Sequence, residues 1–228
     1  STHGLVTGIL LLCMLRSFTS QSLARPILNP CYFSPLVSKN DILHPLMENK
    51  HTKDTVQGMK EAAGDYNTSN SVSDYILPHL LNLYASRATK QDFEIYAPNA
   101  TFEDPLMRAE GVKQIKSSFY SLGKVFSESR IVEYNITEKE ISPGNKEILI
   151  DNKQYYKFLG KDIHMISLIK LYTEGGKVVR HEDCWDKKPL RNRETVKVPL
   201  VGRMMEVSRR ASMLLTHALM GFGKDPTM

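Results

Sequence analysis

The sequence predicts an α+β fold on three observations. Two apolar stripes with helical spacing come early, four strand-like runs follow in succession, and short turn-forming segments join those runs. Helices followed by an antiparallel meander is the pattern of helices packed over one face of a sheet. The first helix starts near Asp74, with Ser73 or Asp74 able to cap it and Pro78 in its opening turn. Ile76, Leu77, Leu80, Leu81, Tyr84 and Ala88 recur along one of its faces. The segment 93–105 then reads as a short helical turn, a break at Pro98-Asn99, and a brief strand stopped by Pro105. After Gly111, the residues Val112, Ile115, Phe119, Leu122 and Phe126 step by 3, 4, 3 and 4, the mark of one buried face of a second long helix.

The strand-like runs span 130–141, 146–159, 163–174 and 177–186. Ser142-Pro143-Gly144-Asn145, Gly160-Lys161-Asp162 and Gly175-Gly176 separate them, and links this short join antiparallel neighbours. Alternation in the second run puts Ile148, Ile150, Asn152, Gln154, Tyr156 and Phe158 on one face, expected to look inward. Between 163 and 172 both faces are largely apolar, so both need cover, and a dimer contact on the outer face would supply it. On the last run, Val179, His181, Asp183 and Trp185 share one face, with Val178, Arg180, Glu182 and Cys184 on the other.

A length of 228 residues, 24% charged and 41% in the AVILMFWYC set, describes an ordinary globular chain with one main core. The net charge of +5 is unevenly placed. Segment 187–228 holds nine basic residues against three acidic ones, +6, which leaves −1 elsewhere. The basic balance therefore belongs to the C-terminal segment, and no nucleic-acid partner is expected. Residues 1–73 read as a targeting or disordered arm, 74–186 as the folded domain, and 187–228 as a basic connector and an amphipathic helix. Within the arm, 5–15 is apolar but well short of the roughly 20 residues that span a bilayer. It suits a signal-peptide core, while Arg16, Arg25, Lys39 and the many serines suit an organellar transit peptide about as well. The compartment stays open on this reading, with a cytoplasmic or organellar site expected ahead of secretion. In the tail, Val201, Met204, Met205, Ser208, Ala211, Leu214, Leu215, Ala218, Leu219 and Phe222 trace a helical stripe after Pro199. Such a stripe docks on the domain or a second copy, or it makes peripheral membrane contact through 199–222.

Cys13, Cys31 and Cys184 stand too far apart for a zinc knuckle or redox pair, so no metal is expected. No phosphate loop, nucleophile elbow or Walker pattern occurs, and no cofactor is expected either. Any chemistry should then be cofactor-free proton transfer.

The order of a helix, the segment "FEIYAPNATFEDP", a Gly111-led helix and a meander ending in "RHEDCWD" (Arg180 to Asp186) resembles the nuclear transport factor 2-like, or SnoaL-like, superfamily. The resemblance covers about half the chain and is nearest to plant members with no assigned activity. It implies a cone-shaped fold, with helices packed on a curved antiparallel sheet around a mostly apolar pocket. That superfamily includes polyketide cyclases, ketosteroid isomerase, scytalone dehydratase and limonene epoxide hydrolase alongside non-catalytic binding modules, so the fold does not decide function. The leading expectation is a module that binds a small hydrophobic molecule or a partner protein, as a homodimer. The alternative is a cofactor-independent acid/base enzyme of the isomerase, dehydratase, cyclase or epoxide hydrolase type.

Asp183 is the leading catalytic candidate, because an apolar wall raises a carboxylate's pKa toward that of a general base. In "EDCWD" it is similar in position to the pocket aspartate of limonene epoxide hydrolase-like members. The Arg-x-Asp pair that those enzymes supply from a neighbouring strand is missing, and a structural hydrogen bond or ion pair is the competing role. His181 lies two residues away on the same face, about 7 Å along the strand, where a water could link the pair. Its other reading is a solvated or backbone-bonded histidine. Asp104 in the "EDP" turn either faces the pocket mouth or caps local amides. Tyr120 on the second helix and Tyr156 on the inward face offer hydroxyl donors to a ligand, or pack. Asn152 and Gln154 share that inward face, and Trp185 is a pocket wall or a core plug.

Overall fold

A computed structural model describes residues 71–226. The apolar segment 5–15 and nearly all of the arm lie outside the described residues.

The first helix, α1 (Val72–Tyr84), begins ahead of the expected start because Ser71 is its cap in place of Ser73 or Asp74. The Ser71 hydroxyl accepts from the Ser73 amide at 3.2 Å, and the Asp74 carboxylate returns a bond to the Ser71 amide at 3.1 Å. Pro78 consequently falls inside the helix and not in its first turn. A 3-10 helix over Lys90–Ile95 leads into β1 (Tyr96–Glu103). The expected break at Pro98-Asn99 does not occur. The β1 register shifts between Tyr96 and Thr101, and in that irregular stretch a proline removes no ladder bond. The short strand β2 (Arg108–Glu110) was not foreseen, being too brief to show alternation.

Gly111, at φ 80°, occupies the left-handed region that favours glycine and opens α2 (Val112–Val125). The meander follows as β3 (Glu128–Ser142), β4 (Asn145–Phe158), β5 (Lys161–Glu174) and β6 (Lys177–Trp185). The final helix is α3 (Pro199–Leu219).

The six strands form one curved sheet in the order β2-β1-β6-β5-β4-β3. The meander strands pair antiparallel as expected, as do β1 and β2, and only β1 and β6 run parallel, so the sheet as a whole is mixed. The physical reason is the long connection: α2 and four strands separate β1 from β6, which leaves the chain free to return in the same direction.

Ile76, Leu80 and Leu83 of α1, Ile115 and Phe119 of α2, and Ile148, Ile150, Ile169 and Leu171 of the sheet are buried in one core. The Phe119 ring is central, 5.4 Å from Tyr84 and 5.0 Å from Phe102. A bulge in β6 alters the expected alternation. Tyr172 pairs with Arg180 and Thr173 with Val178, so Val179 is the extra residue, and Val178 joins His181 in the core. On the opposite side of the sheet, Leu168, Cys184 and Leu190 form a second small cluster. Part of the cover that β5's outer face needs thus comes from the connector.

α3 packs on α2 and β2, with Met213 fully buried. The approach is close at Gly202, where an added Cβ would lie 2.6 Å from the Asn192 carbonyl oxygen. The side turned to the domain is not the predicted stripe. Gly202, Arg209, Met213 and Thr216 are buried, while Met204, Leu214, Leu215 and Phe222 of the stripe are exposed.

Candidate functional site

A cavity of about 50 Å³ opens where α1 and α2 cover the sheet. Most of its wall is apolar, including Phe102, Met107, Phe119, Phe126 and Met165. The half-buried residues Leu122, Val125 and Ile163 mark the side nearest solvent. Asp104, Asp183, Tyr84, Tyr156 and Trp185 supply polar groups to the same wall.

Asp183 comes from β6 and is 3% exposed. Burial raises its pKa, and interactions with Ser167, Tyr84, Gln154 and the Trp185 indole N–H act against that rise. Ser167 donates to Oδ1, the Tyr84 hydroxyl donates to Oδ2 at 3.0 Å, and Gln154 Nε2 lies 3.3 Å from Oδ2. Both oxygens are therefore engaged by the protein. Tyr156 in turn donates to Gln154 Oε1 at 2.6 Å, which fixes the orientation of the amide.

His181 is completely buried and is not among the cavity-lining residues. Its link to Asp183 runs through the Tyr84 hydroxyl, 3.2 Å from Nε2, and takes the place of the expected water. Tyr84 has one proton, and it goes to Asp183. Nε2 must then carry the imidazole proton that Tyr84 accepts, and Nδ1 accepts from the Tyr96 hydroxyl at 2.8 Å. Burial pushes the imidazole pKa down to about 3, so this neutral tautomer persists over the working range.

Asp104 caps local amides, one of the two roles expected for it, and also lines the cavity. Its Oδ1 accepts from the Leu106 and Met107 amides at 2.7 and 2.6 Å, closing the turn. The turn uses only one of the two carboxylate oxygens. Burial pushes its pKa up to about 7, with the nearby Asp183 charge adding to the rise and the two amide bonds and Arg209 opposing it. Arg209 reaches this region from α3, donating from Nη1 to Glu103 Oε2 at 2.9 Å and to the Asp104 carbonyl at 3.3 Å.

The remaining sequence candidates divide. Trp185 lines the cavity, and its buried indole N–H lies beside Asp183 without forming a well-aligned hydrogen bond. Tyr156 also lines it, whereas Gln154 stands behind Asp183 as a positioning group. Asn152 is buried but bonds the Ile150 carbonyl at 2.9 Å, and it does not line the cavity. Tyr120 is absent from the lining because it turns the other way, donating to Asp225 at 2.9 Å. Sequence reasoning missed Tyr84 and Ser167. Each carried a signal: Tyr84 lies in α1's core stripe, and a buried tyrosine hydroxyl needs a partner, while Ser167 interrupts the inward apolar series Ile163, Met165, Ile169 and Leu171.

The solved structures that the chain resembles are NTF2-like proteins. One, from Anabaena variabilis, is 15% identical with a TM-score of 0.46, covering 56% of this chain and 95% of its own. Another, from Cytophaga hutchinsonii, is 16% identical with a TM-score of 0.39, covering 53% and 94%. A type 2 hexachlorocyclohexane dehydrochlorinase, LinA, is 11% identical with a TM-score of 0.42, covering 49% and 80%. No protein-family model and no curated protein matches the sequence.

Proposed function

We propose that this protein binds a compact, mostly apolar molecule bearing an oxygen acceptor inside the cavity. The observation that carries the reading is an apolar cavity whose wall holds the buried Trp185 indole N–H, a donor with Asp183 beside it but no well-formed hydrogen bond. A ligand carbonyl or ether oxygen would give that donor a well-formed hydrogen bond, a net gain of roughly 0.5–1.5 kcal/mol. The enclosed, small space favours a small molecule over a partner protein at this site.

Trp185 is the chain's sole tryptophan, so its emission reports directly on occupancy. Titration with small cyclic ketones should give a saturable emission change, and Val125→Phe, which narrows the half-buried side, should abolish it. No change with any ketone, or a change that survives Val125→Phe, counts against this reading.

A second reading, proton transfer, is favoured by one observation: Asp104, lining the cavity, has a pKa near the working pH and an oxygen that the turn does not use. In this reading Asp104 is the base. Asp183, the base expected from the sequence, is a fixed neighbour whose oxygens are already engaged. A bound ketone held in D2O should then gain deuterium beside its carbonyl, faster as pH rises through 7, and Asp104→Asn should bind without exchange. A ketone recovered unlabelled leaves the binding module alone.

A further inference from the structure

We propose that α3 lies flat on an anionic membrane surface, its outer side in the lipid. The helix is held to the domain by its less apolar side, through Gly202, Arg209, Met213 and Thr216. Its outward side is consequently the apolar one. Leu200, Met204, Val207, Leu214 and Leu215 are exposed along it, with Phe222 exposed just beyond its end. Ser208, Ala211 and Ala218 fill the intervening positions, so this face carries no charged residue. At 1.5 Å per residue, the helix presents a strip about 30 Å long. No described helix is long and apolar enough to cross a membrane, whereas a strip of this kind suits burial of roughly 5–10 Å at the headgroup boundary.

Charge decides the occupant. Arg191, Lys197, Arg203 and Lys224 are exposed around the helix. Of the segment's three acidic residues, Glu206 is held by Arg193 at 2.8 Å and Asp225 by Lys116 at 2.5 Å, which leaves Glu194. The rim is therefore positive around an uncharged face. A second copy seated on this face would bring the exposed Arg191, Lys197, Arg203 and Lys224 of both chains together, whereas anionic lipid complements both the apolar strip and its rim.

The test is sedimentation of the full chain with phosphatidylcholine vesicles, with and without about 30% phosphatidylserine. The protein should pellet with the anionic vesicles only, and the bound fraction should fall several-fold as salt rises from about 0.1 to about 0.5 M. Val207→Glu with Leu214→Glu, both exposed in the parent, should abolish pelleting without moving the urea midpoint. Three results overturn the proposal: no binding to anionic vesicles, binding that survives the double variant, or a parent dimer that the same variant splits into monomers while vesicles leave the parent in solution. The cavity reading stands or falls separately, because Trp185 emission does not depend on this face.

Discussion

Asp104 and His181 are both buried, and they respond to pH in opposite senses. The Asp104 carboxyl sits at about 7 in the folded chain against an ordinary 3.8, so its contribution to stability is complete below about pH 4 and is lost as pH rises through 7. His181 is held at about 3 against an ordinary 6.5, so its contribution is complete above about pH 6.5 and is lost as pH falls toward 3. Between about pH 4 and 6.5 the two slopes oppose each other. Asp104→Asn keeps a side-chain oxygen for the Leu106 and Met107 amides but removes the titration. The variant should be more stable than the parent above pH 7, by about 2–4 kcal/mol, with the difference closing below pH 4. It should also show the acid loss from His181 unopposed. Urea denaturation at a series of pH values measures both effects, and a pH-independent difference would show that Asp104 is not the titrating group.

At the scale of elements, Ser71 does more than cap a helix. Its hydroxyl donates to Glu138 Oε2 at 2.6 Å, and the Ser73 amide donates to the same oxygen at 2.8 Å, which ties the start of α1 to β3. Partial burial would raise the Glu138 pKa, but the bonds from Lys146, Ser71 and Ser73 hold it at about 2. Ser71→Ala should therefore cost about 1–2 kcal/mol, the ordinary cap loss plus a weakened link to the sheet, read as a lower urea midpoint. The cap itself was misplaced by sequence reasoning, although Ser71-Val72-Ser73-Asp74 carries the local capping-box spacing, and the contact with distant Glu138 reinforces that choice. The α2 stripe was legible because Ile115 and Phe119 are spaced by local geometry alone. The parallel β1–β6 pairing was not, because no local signal records which strand a chain will meet after a long excursion. The bulge at Val179 was hidden for a related reason: it exists only relative to the register of β5 and β1. In α3, periodicity revealed which residues share a face, but which face is covered depends on Arg209 finding Glu103.

The same contrast governs the molecule as a whole. Asp183, Trp185 and Tyr156 were legible as cavity-lining candidates because strand alternation aims them inward, and Asp104 because of its turn. Tyr84 and Ser167 were not, since the hydrogen bonds that bring them to Asp183 join separate elements. The domain boundary expected at 186 meets a similar difficulty. Leu190 lies beyond it yet closes the cluster over Leu168 and Cys184, Met213 is fully buried against the main core, and Arg209 neutralises Glu103. A chain ending at residue 186 loses all three. Losing the contacts of Leu190 and Met213 removes about 2 kcal/mol of burial for each, and Glu103 keeps only its longer ion pair with Arg108 at 3.8 Å. Such a chain should unfold at a much lower urea concentration than the full chain, with Glu103→Gln recovering part of the loss. If the truncated chain instead matches the full chain's midpoint, α3 contributes nothing to the fold, and its docking through Arg209 is incidental.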